Sequence, residues 1–325
     1  MKLWRTIILP GSRSRWKELF GALVIAHAST ALAQLPGSNL LPARLTFGLS
    51  SRSLSDVTRN DAQAAFKTFT DAAARKRGYN LAFNSRVFDD VATYQAAIRE
   101  HQILTAVIDA WDYLSANLAG YMEISFVKER GGEVGEQYLL LTRRDSAYNR
   151  LADLRGQELN LLESANAKLS RRWLNFLVLT NQLGDPARFF GKIEVSTKPS
   201  PVTLPVFFGK RPACVITRAA FDVMRQLNPQ LGRDLQTIAT SPLLVETLLC
   251  TAPTGWESEA FREAFFDGML EMGEEPAGQQ ILTLFRADRF VRFRPEQMAT
   301  LTQFHAEYER WSRLALLPGV QRAAD

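Results

Sequence analysis

Gln137-Tyr-Leu-Leu-Leu-Thr-Arg143, then Leu151-Ala-Asp-Leu-Arg-Gly-Gln157, Glu158-Leu-Asn-Leu-Leu-Glu-Ser-Ala-Asn166 and Pro205-Val-Phe-Phe-Gly-Lys-Arg-Pro-Ala-Cys-Val-Ile-Thr217 are the stretches whose reading decides the fold. Short apolar runs of strand length end in small or polar residues, and helix-length segments separate them. Strands alternating with helices in this way predict βαβ units and parallel sheets. The same rhythm extends in both directions. Upstream, Leu45 to Ser50, Asn80 to Arg86, Leu104 to Asp109 and Glu123 to Lys128 read as strands, with helices over Val57 to Arg77 and Asp90 to Glu100. Downstream, Glu158 to Leu162, Lys192 to Thr197, Ala213 to Thr217 and Leu235 to Thr240 read as strands, with helices at Leu169 to Leu183, Thr203 to Phe208 and Ala219 to Leu227. Gly131-Gly132 marks a turn before Tyr138 to Arg143, read as a first crossing between two lobes, and Val245 to Thr251 reads as the returning strand. Helices over Glu257 to Met272 and Gly278 to Ala287 are expected to pack back on the first lobe.

The expected organisation is a leader over 1–33, a first lobe beginning in 34–143, a second lobe over 144–242, and a return to the first lobe over 243–325. The leader has a basic start, an apolar run from Leu19 to Ala33 and a small-x-small site at Ala31-Leu-Ala33, the pattern of a cleaved export signal. Its apolar run is shorter than the ~20 residues a bilayer span needs. Cleavage before Gln34 and release into the periplasm are the expectation. Five of the 39 Lys and Arg and one of the 34 Asp and Glu lie in the leader, so the remainder carries 34 bases against 33 acids. The basic excess that would favour nucleic acid therefore belongs mostly to the leader. Cys214 and Cys250 are the only cysteines; an oxidising compartment permits a bridge and the sequence equally permits two buried thiols. His101 and His305 have no neighbour at metal-ligand spacing, and no cofactor is expected.

In open α/β sheets ligands bind beyond the carboxyl ends of the strands, where helix N-termini present unpaired amides. The strand exits therefore supply the candidate ligand-binding residues. They are Ser50, Arg52, Arg86, Asp109, Trp111 and Tyr113 in the first lobe, and Ser164, Asn166, Lys168, Ser200 and Thr217 in the second. Competing roles are visible for several: Trp111 and Tyr113 as core aromatics, Arg52 and Arg86 as solvated charges, Asp109 as a helix cap. Lys168 and Arg171 precede or open a helix, where positive charge opposes the dipole and a bound anion relieves it.

The order of Leu151-Ala-Asp-Leu-Arg-Gly, the turn Ser164-Ala-Asn-Ala-Lys168, Lys198-Pro-Ser200-Pro, Gly209 to Cys214 and the aromatic turn Ile108-Asp-Ala-Trp-Asp-Tyr113 resembles the phosphonate, phosphite and phosphate branch of type II solute-binding proteins. The resemblance spans Leu45 to Phe293. It implies a two-lobed α/β fold, each lobe a mainly parallel sheet flanked by helices, with two hinge crossings. It also implies an exported, monomeric receptor that holds a small, anionic ligand and delivers it unchanged to an ABC permease. Relatives carry Ser-x-Ser-Gly at the first turn and Gly-Ser-His at the second; here Ser164 and Ser200 persist while the later hydroxyl, the glycine and the histidine do not. A sensory protein docking on a membrane kinase, and an enzyme on the same scaffold, are the other readings. The chain has no Gly-x-Ser-x-Gly elbow and no phosphate-binding Gly-x-x-x-x-Gly-Lys loop.

Overall fold

Strand β1 (Leu41–Ser50) starts the first sheet, and the helix that follows it, α1 (Arg59–Lys76), is capped by the Thr58 hydroxyl, which accepts from the Asp61 amide at 3.2 Å. The computed structural model describes residues 40–54 and 58–315; the expected leader lies outside the described residues. Apolar residues on one face of α1 press onto the strand, with the Phe66 and Phe47 rings 4.7 Å apart. Strand β2 (Tyr79–Phe88), helix α2 (Val91–Arg99), strand β3 (Thr105–Asp109), the short helix α3 (Ala110–Ser115) and strand β4 (Glu123–Glu129) follow. Asp90 caps α2 through the Thr93 amide.

The second sheet is built from β5 (Tyr138–Arg143), β6 (Glu158–Leu162), β7 (Lys192–Ser196), β8 (Ala213–Thr217) and β9 (Leu235–Thr240). Between them lie α4 (Ser170–Thr180), α5 (Pro186–Phe189), α6 (Pro199–Phe207), α7 (Arg218–Leu227) and α8 (Gln230–Asp234). The chain then returns through β10 (Thr247–Thr251), α9 (Glu259–Leu270), α10 (Pro276–Phe285), β11 (Arg289–Arg292) and α11 (Glu296–Ala315). Strand order is β11-β4-β10-β3-β1-β2 in the first sheet and β7-β6-β8-β5-β9 in the second.

The parallel character expected of both sheets is confined to the βαβ strands. β1 pairs in parallel with β2 and β3, and β6 with β7 and β8. The strands that enter straight from the other lobe, β5 and β10, are antiparallel to both neighbours. A direct connection without a crossover helix delivers its strand from the opposite side, so its direction is reversed. The stretch Tyr138 to Arg143, expected to be the crossing itself, is thus an interior strand of the second sheet. The chain passes between sheets just before it and again over 241–246, and the two passages bond to each other: Glu136 and Leu244 exchange both backbone hydrogen bonds, at 2.8 and 2.9 Å. Val245 and Glu246, expected in the returning strand, belong to this second passage.

Other boundaries differ for local reasons. Helix α6 begins at Pro199 rather than Thr203, because a proline at the first helical position loses no hydrogen bond. Helices α9 and α10 pack against α1. Helix α11 instead reaches both lobes, packing on α3 and on α4. Its Phe304 ring lies 5.6 Å from Trp111 of α3 and 5.0 Å from Phe176 of α4. Cys214 in β8 and Cys250 in β10 are buried free thiols in different sheets. Among the described residues no helix is long and apolar enough to cross a membrane.

The first passage depends on Gly135. Its φ is +120°, and a Cβ there would sit 2.8 Å from the Leu244 carbonyl oxygen. Gly135→Ala is expected to lose about 1–3 kcal/mol of unfolding free energy through this strain, measured by urea denaturation.

Candidate functional site

The carboxyl ends of β1 and β3 in the first sheet face the turn after β6 in the second. That turn, Ser164 to Leu169, carries the sequence into α4, and it is shaped by local bonds: the Ala167 amide donates to the Ser164 carbonyl at 2.9 Å and the Asn166 amide to Ser164 Oγ at 3.3 Å. Lys168 extends from it to the first sheet. Its Nζ donates to Asp109 Oδ1 at the end of β3 and to Ser53 Oγ, 3.2 Å away, in the short turn after β1. Lys168 and Asp109 are 12% and 11% exposed, so this ion pair is largely shielded from solvent. Asp109 occupies the N-cap position of α3 but makes no cap hydrogen bond, having given its carboxylate to Lys168.

A second pair of groups lies beside the first. Lys128, near the end of β4, donates from Nζ to Asn166 Oδ1 at 2.6 Å and lies 3.9 Å from Glu136 Oε1 in the first passage. Glu246, in the second passage, accepts at Oε1 from the Tyr138 hydroxyl and from the backbone amides of Lys168 and Leu169, the amides at 3.0 and 3.3 Å. Lys128, Glu136 and Glu246 are all buried. Both sheets and both passages therefore contribute to one polar cluster.

Burial dominates its electrostatics. It pulls the Lys128 ammonium below the ordinary lysine range, an effect Glu136 and Glu246 partly offset. It raises the Glu136 carboxyl, against the pull of Lys128 and Arg130. Glu246 is pushed up to about 8, by burial first and by Glu136 second, with Lys128 and the Leu169 amide opposing. Asp112, also raised by burial and then by Asp109, is countered by Arg172, Arg52 and Lys168.

The sequence candidates divide on this geometry. Asp109, Asn166 and Lys168 come together in the cluster, and Ser164 shapes its turn. Ser50 and Arg52 lie at its margin, the Arg52 amide donating to Ser50 Oγ at 3.3 Å. Arg86 is directed elsewhere: its guanidinium donates to Gln102 Oε1 at 2.6 Å and covers the Phe88 ring. Trp111 and Tyr113 are buried core aromatics. Trp111 packs on Phe304, His305 and Tyr308 of α11, beneath the Arg172 guanidinium of α4. The Tyr113 hydroxyl donates to the Met122 carbonyl at 2.9 Å, and burial raises it to about 12. Thr217 caps α7 through the Ala220 amide. Ser200 is exposed in the first turn of α6.

Lys128, Glu136, Tyr138, Glu246 and Ser53 are not among the sequence candidates. Two of them carry a sequence signal: Glu246 interrupts Leu243-Leu-Val-Glu-Thr-Leu-Leu249, and Lys128 interrupts the end of an apolar strand. A charge inside a run that must be buried needs a partner. Among the described residues no group of His, Cys, Asp and Glu is arranged to hold a metal ion.

The family model described as the periplasmic substrate-binding protein of phosphonate ABC transporters matches residues 53–298. The chain belongs to that family. Family members are substrate-binding receptors, periplasmic components of ABC transporters. Solved structures agree on the fold. XAC2383 of Xanthomonas citri, solved with chloride and also with ATP, is 17% identical with a TM-score of 0.59; the chloride structure covers 83% of this chain and 99% of that one. A binding-protein component of an ABC phosphonate transporter from Pseudomonas aeruginosa, PA3383, is 16% identical with a TM-score of 0.56, over 86% and 92% of the two chains. PhnD1 of Prochlorococcus marinus, in complex with methylphosphonate, is 15% identical with a TM-score of 0.54, over 82% and 98%. No curated protein matches the chain. In this phosphonate-receptor family member the turn after β6 has one serine, Ser164, and the Lys168 and Leu169 amides that end it meet a carboxyl of the chain itself.

The raised Glu246 carboxyl has a pH consequence. Its folded value of about 8 lies above the usual glutamate range, so the folded protein holds a proton that the unfolded chain releases. Its stabilising contribution is complete below the unfolded value and is lost as pH rises to about 8; Glu136 acts in the same direction. Melting temperature should therefore fall between about pH 5 and pH 8, and Glu246→Gln should flatten that slope, measured by calorimetry across the range.

Proposed function

We propose that this chain is an exported receptor that closes its two lobes on a small polar solute and presents it to an ABC permease. The observation that carries this reading is the reach of Lys168 from the second-sheet turn to Asp109 and Ser53 at the exits of the first sheet. Those contacts join the lobes where strand exits meet, which is where a solute in an open α/β sheet is held. The two adjacent passages, bonded at Glu136 and Leu244, supply a pair of hinges about which such a cleft opens and shuts. The expected leader over 1–33 supports a periplasmic address, and a single chain supplying both walls supports action as a monomer.

In the open form Lys168 and Asp109 separate, and a solute bearing hydrogen-bonding groups takes its place between them and Ser53. Holding and releasing is what these groups support, since each charged side chain is fixed by a partner of opposite sign or by a backbone amide.

Calorimetric titration of the purified protein against amino acids, amines, carboxylates and phosphonates should reveal one solute class that binds. Lys168→Ala and Asp109→Ala should each weaken that binding by on the order of 10-fold, about 1.4 kcal/mol. The double variant should lose less than the sum, because the two side chains act as one unit. Equal affinity in parent and both variants would remove the pair from the site and sink the reading.

A further inference from the structure

Three donors converge on a single oxygen at the start of α4. The Lys168 amide reaches Glu246 Oε1 at 3.0 Å, the Leu169 amide is shared between that oxygen at 3.3 Å and the Tyr138 hydroxyl oxygen at 3.1 Å, and the Tyr138 hydroxyl donates to Glu246 Oε1. Two successive backbone amides before an α-helix, joined by a hydroxyl, are the donor set by which helix N-termini hold oxyanions. Basic residues crowd the same end: Lys168 precedes the helix, and Arg171 and Arg172 lie in its first turn, where the dipole disfavours positive charge. Two compensating negative charges and one further carboxyl come from the protein. Glu163 pairs with Arg171 at 2.6 Å, Asp109 pairs with Lys168, and the carboxyl of Glu246 fills the amide seat itself.

Glu246 belongs to neither sheet. It enters from the second passage, it is 2% exposed, and its other oxygen, Oε2, is buried without a hydrogen-bond partner. A buried carboxyl oxygen left unpaired marks a place that still has bonding capacity.

We propose that Glu246 is a built-in occupant of an oxyanion seat formed by the Lys168 and Leu169 amides and the Tyr138 hydroxyl, and that it sets specificity by excluding free oxyanions from that seat. The inference rests on the reading of the interlobe gap as the solute site, and it names which part of that site is closed. A free phosphate or carboxylate entering the seat must expel Glu246, which then loses three hydrogen bonds while remaining buried; that exchange is unfavourable. The anionic ligand expected from the sequence therefore does not anchor on the α4 amides. Recognition falls to Ser53, Asp109 and Lys168 instead. The carboxyl's tendency to hold its proton fits this role, because it fills the seat without bringing a full charge beside Glu136.

Truncation opens the seat. Glu246→Ala removes a group equivalent to acetic acid, so acetate, inorganic phosphate and methylphosphonate should each raise the variant's melting temperature by roughly 5 °C at saturating concentration, with chloride at equal ionic strength as the control. The parent should shift by less than about 1 °C under the same conditions. Glu246→Gln, which keeps the side-chain length and an accepting oxygen, should behave like the parent. If Glu246→Ala fails to fold in plain buffer, acetate or phosphate should restore cooperative unfolding. A parent or Gln variant that responds as strongly as the Ala variant overturns the proposal, and so does an Ala variant indifferent to every anion. A responding parent overturns this proposal while favouring the receptor reading, which itself stands or falls on solute binding by the parent and its loss in the Lys168 and Asp109 variants.

Discussion

Charge buried at the junction of two sheets has to be neutralised by groups from both, and that constraint organises this molecule. Lys128 and Glu136 lie in surroundings where an uncompensated charge costs several kcal/mol. Lys128 draws on partners outside its own sheet. Lys128 is completed by Asn166 of the second lobe, and Glu246 by the Tyr138 hydroxyl and the amides that lead into α4. Removing one partner of such a buried set typically costs about 3–5 kcal/mol, more than one typical hydrogen bond contributes. The cluster thus favours one relative arrangement of the lobes far more selectively than apolar packing does, because apolar contact is not directional.

Most of the architecture is legible in the sequence because it follows from local chemistry. β6, β8 and β9 read to the residue, since each is an apolar run bounded by Gly, Asp or Pro signals, whereas β5 has the expected bounds but is a strand of the second sheet and not the crossing. Strand direction is less legible. A fully buried run such as Tyr138-Leu-Leu-Leu-Thr142 looks the same whichever way it points; for β5 and β10 only the short connections preceding them reveal that they enter reversed. The cap of α1 at Thr58 is a local signal, whereas the joint packing of α11 on α3 and α4 depends on contacts far apart in sequence.

The site is harder to read because hydrogen bonding competes with position. Strand exits bring out Asp109 and Lys168, which pair across the two sheets, yet the same rule brings out Trp111 and Tyr113, whose rings the core claims, and Thr217, whose hydroxyl the next helix claims. Glu246 escapes a search of strand exits because it lies before a strand, in the passage between lobes. What exposes it is thermodynamic: an acid within a run of leucines that burial makes inaccessible to water.

Phe304 touches Trp111 of one lobe and Phe176 of the other through a single ring. A helix seated on both lobes acts like a strap across the back of a clamshell, its aromatic wedge held between α3 and α4. A change in the arrangement of the lobes therefore has to break ring contact on one side of the wedge, so the packing energy of three aromatic rings is tied to the geometry between the sheets.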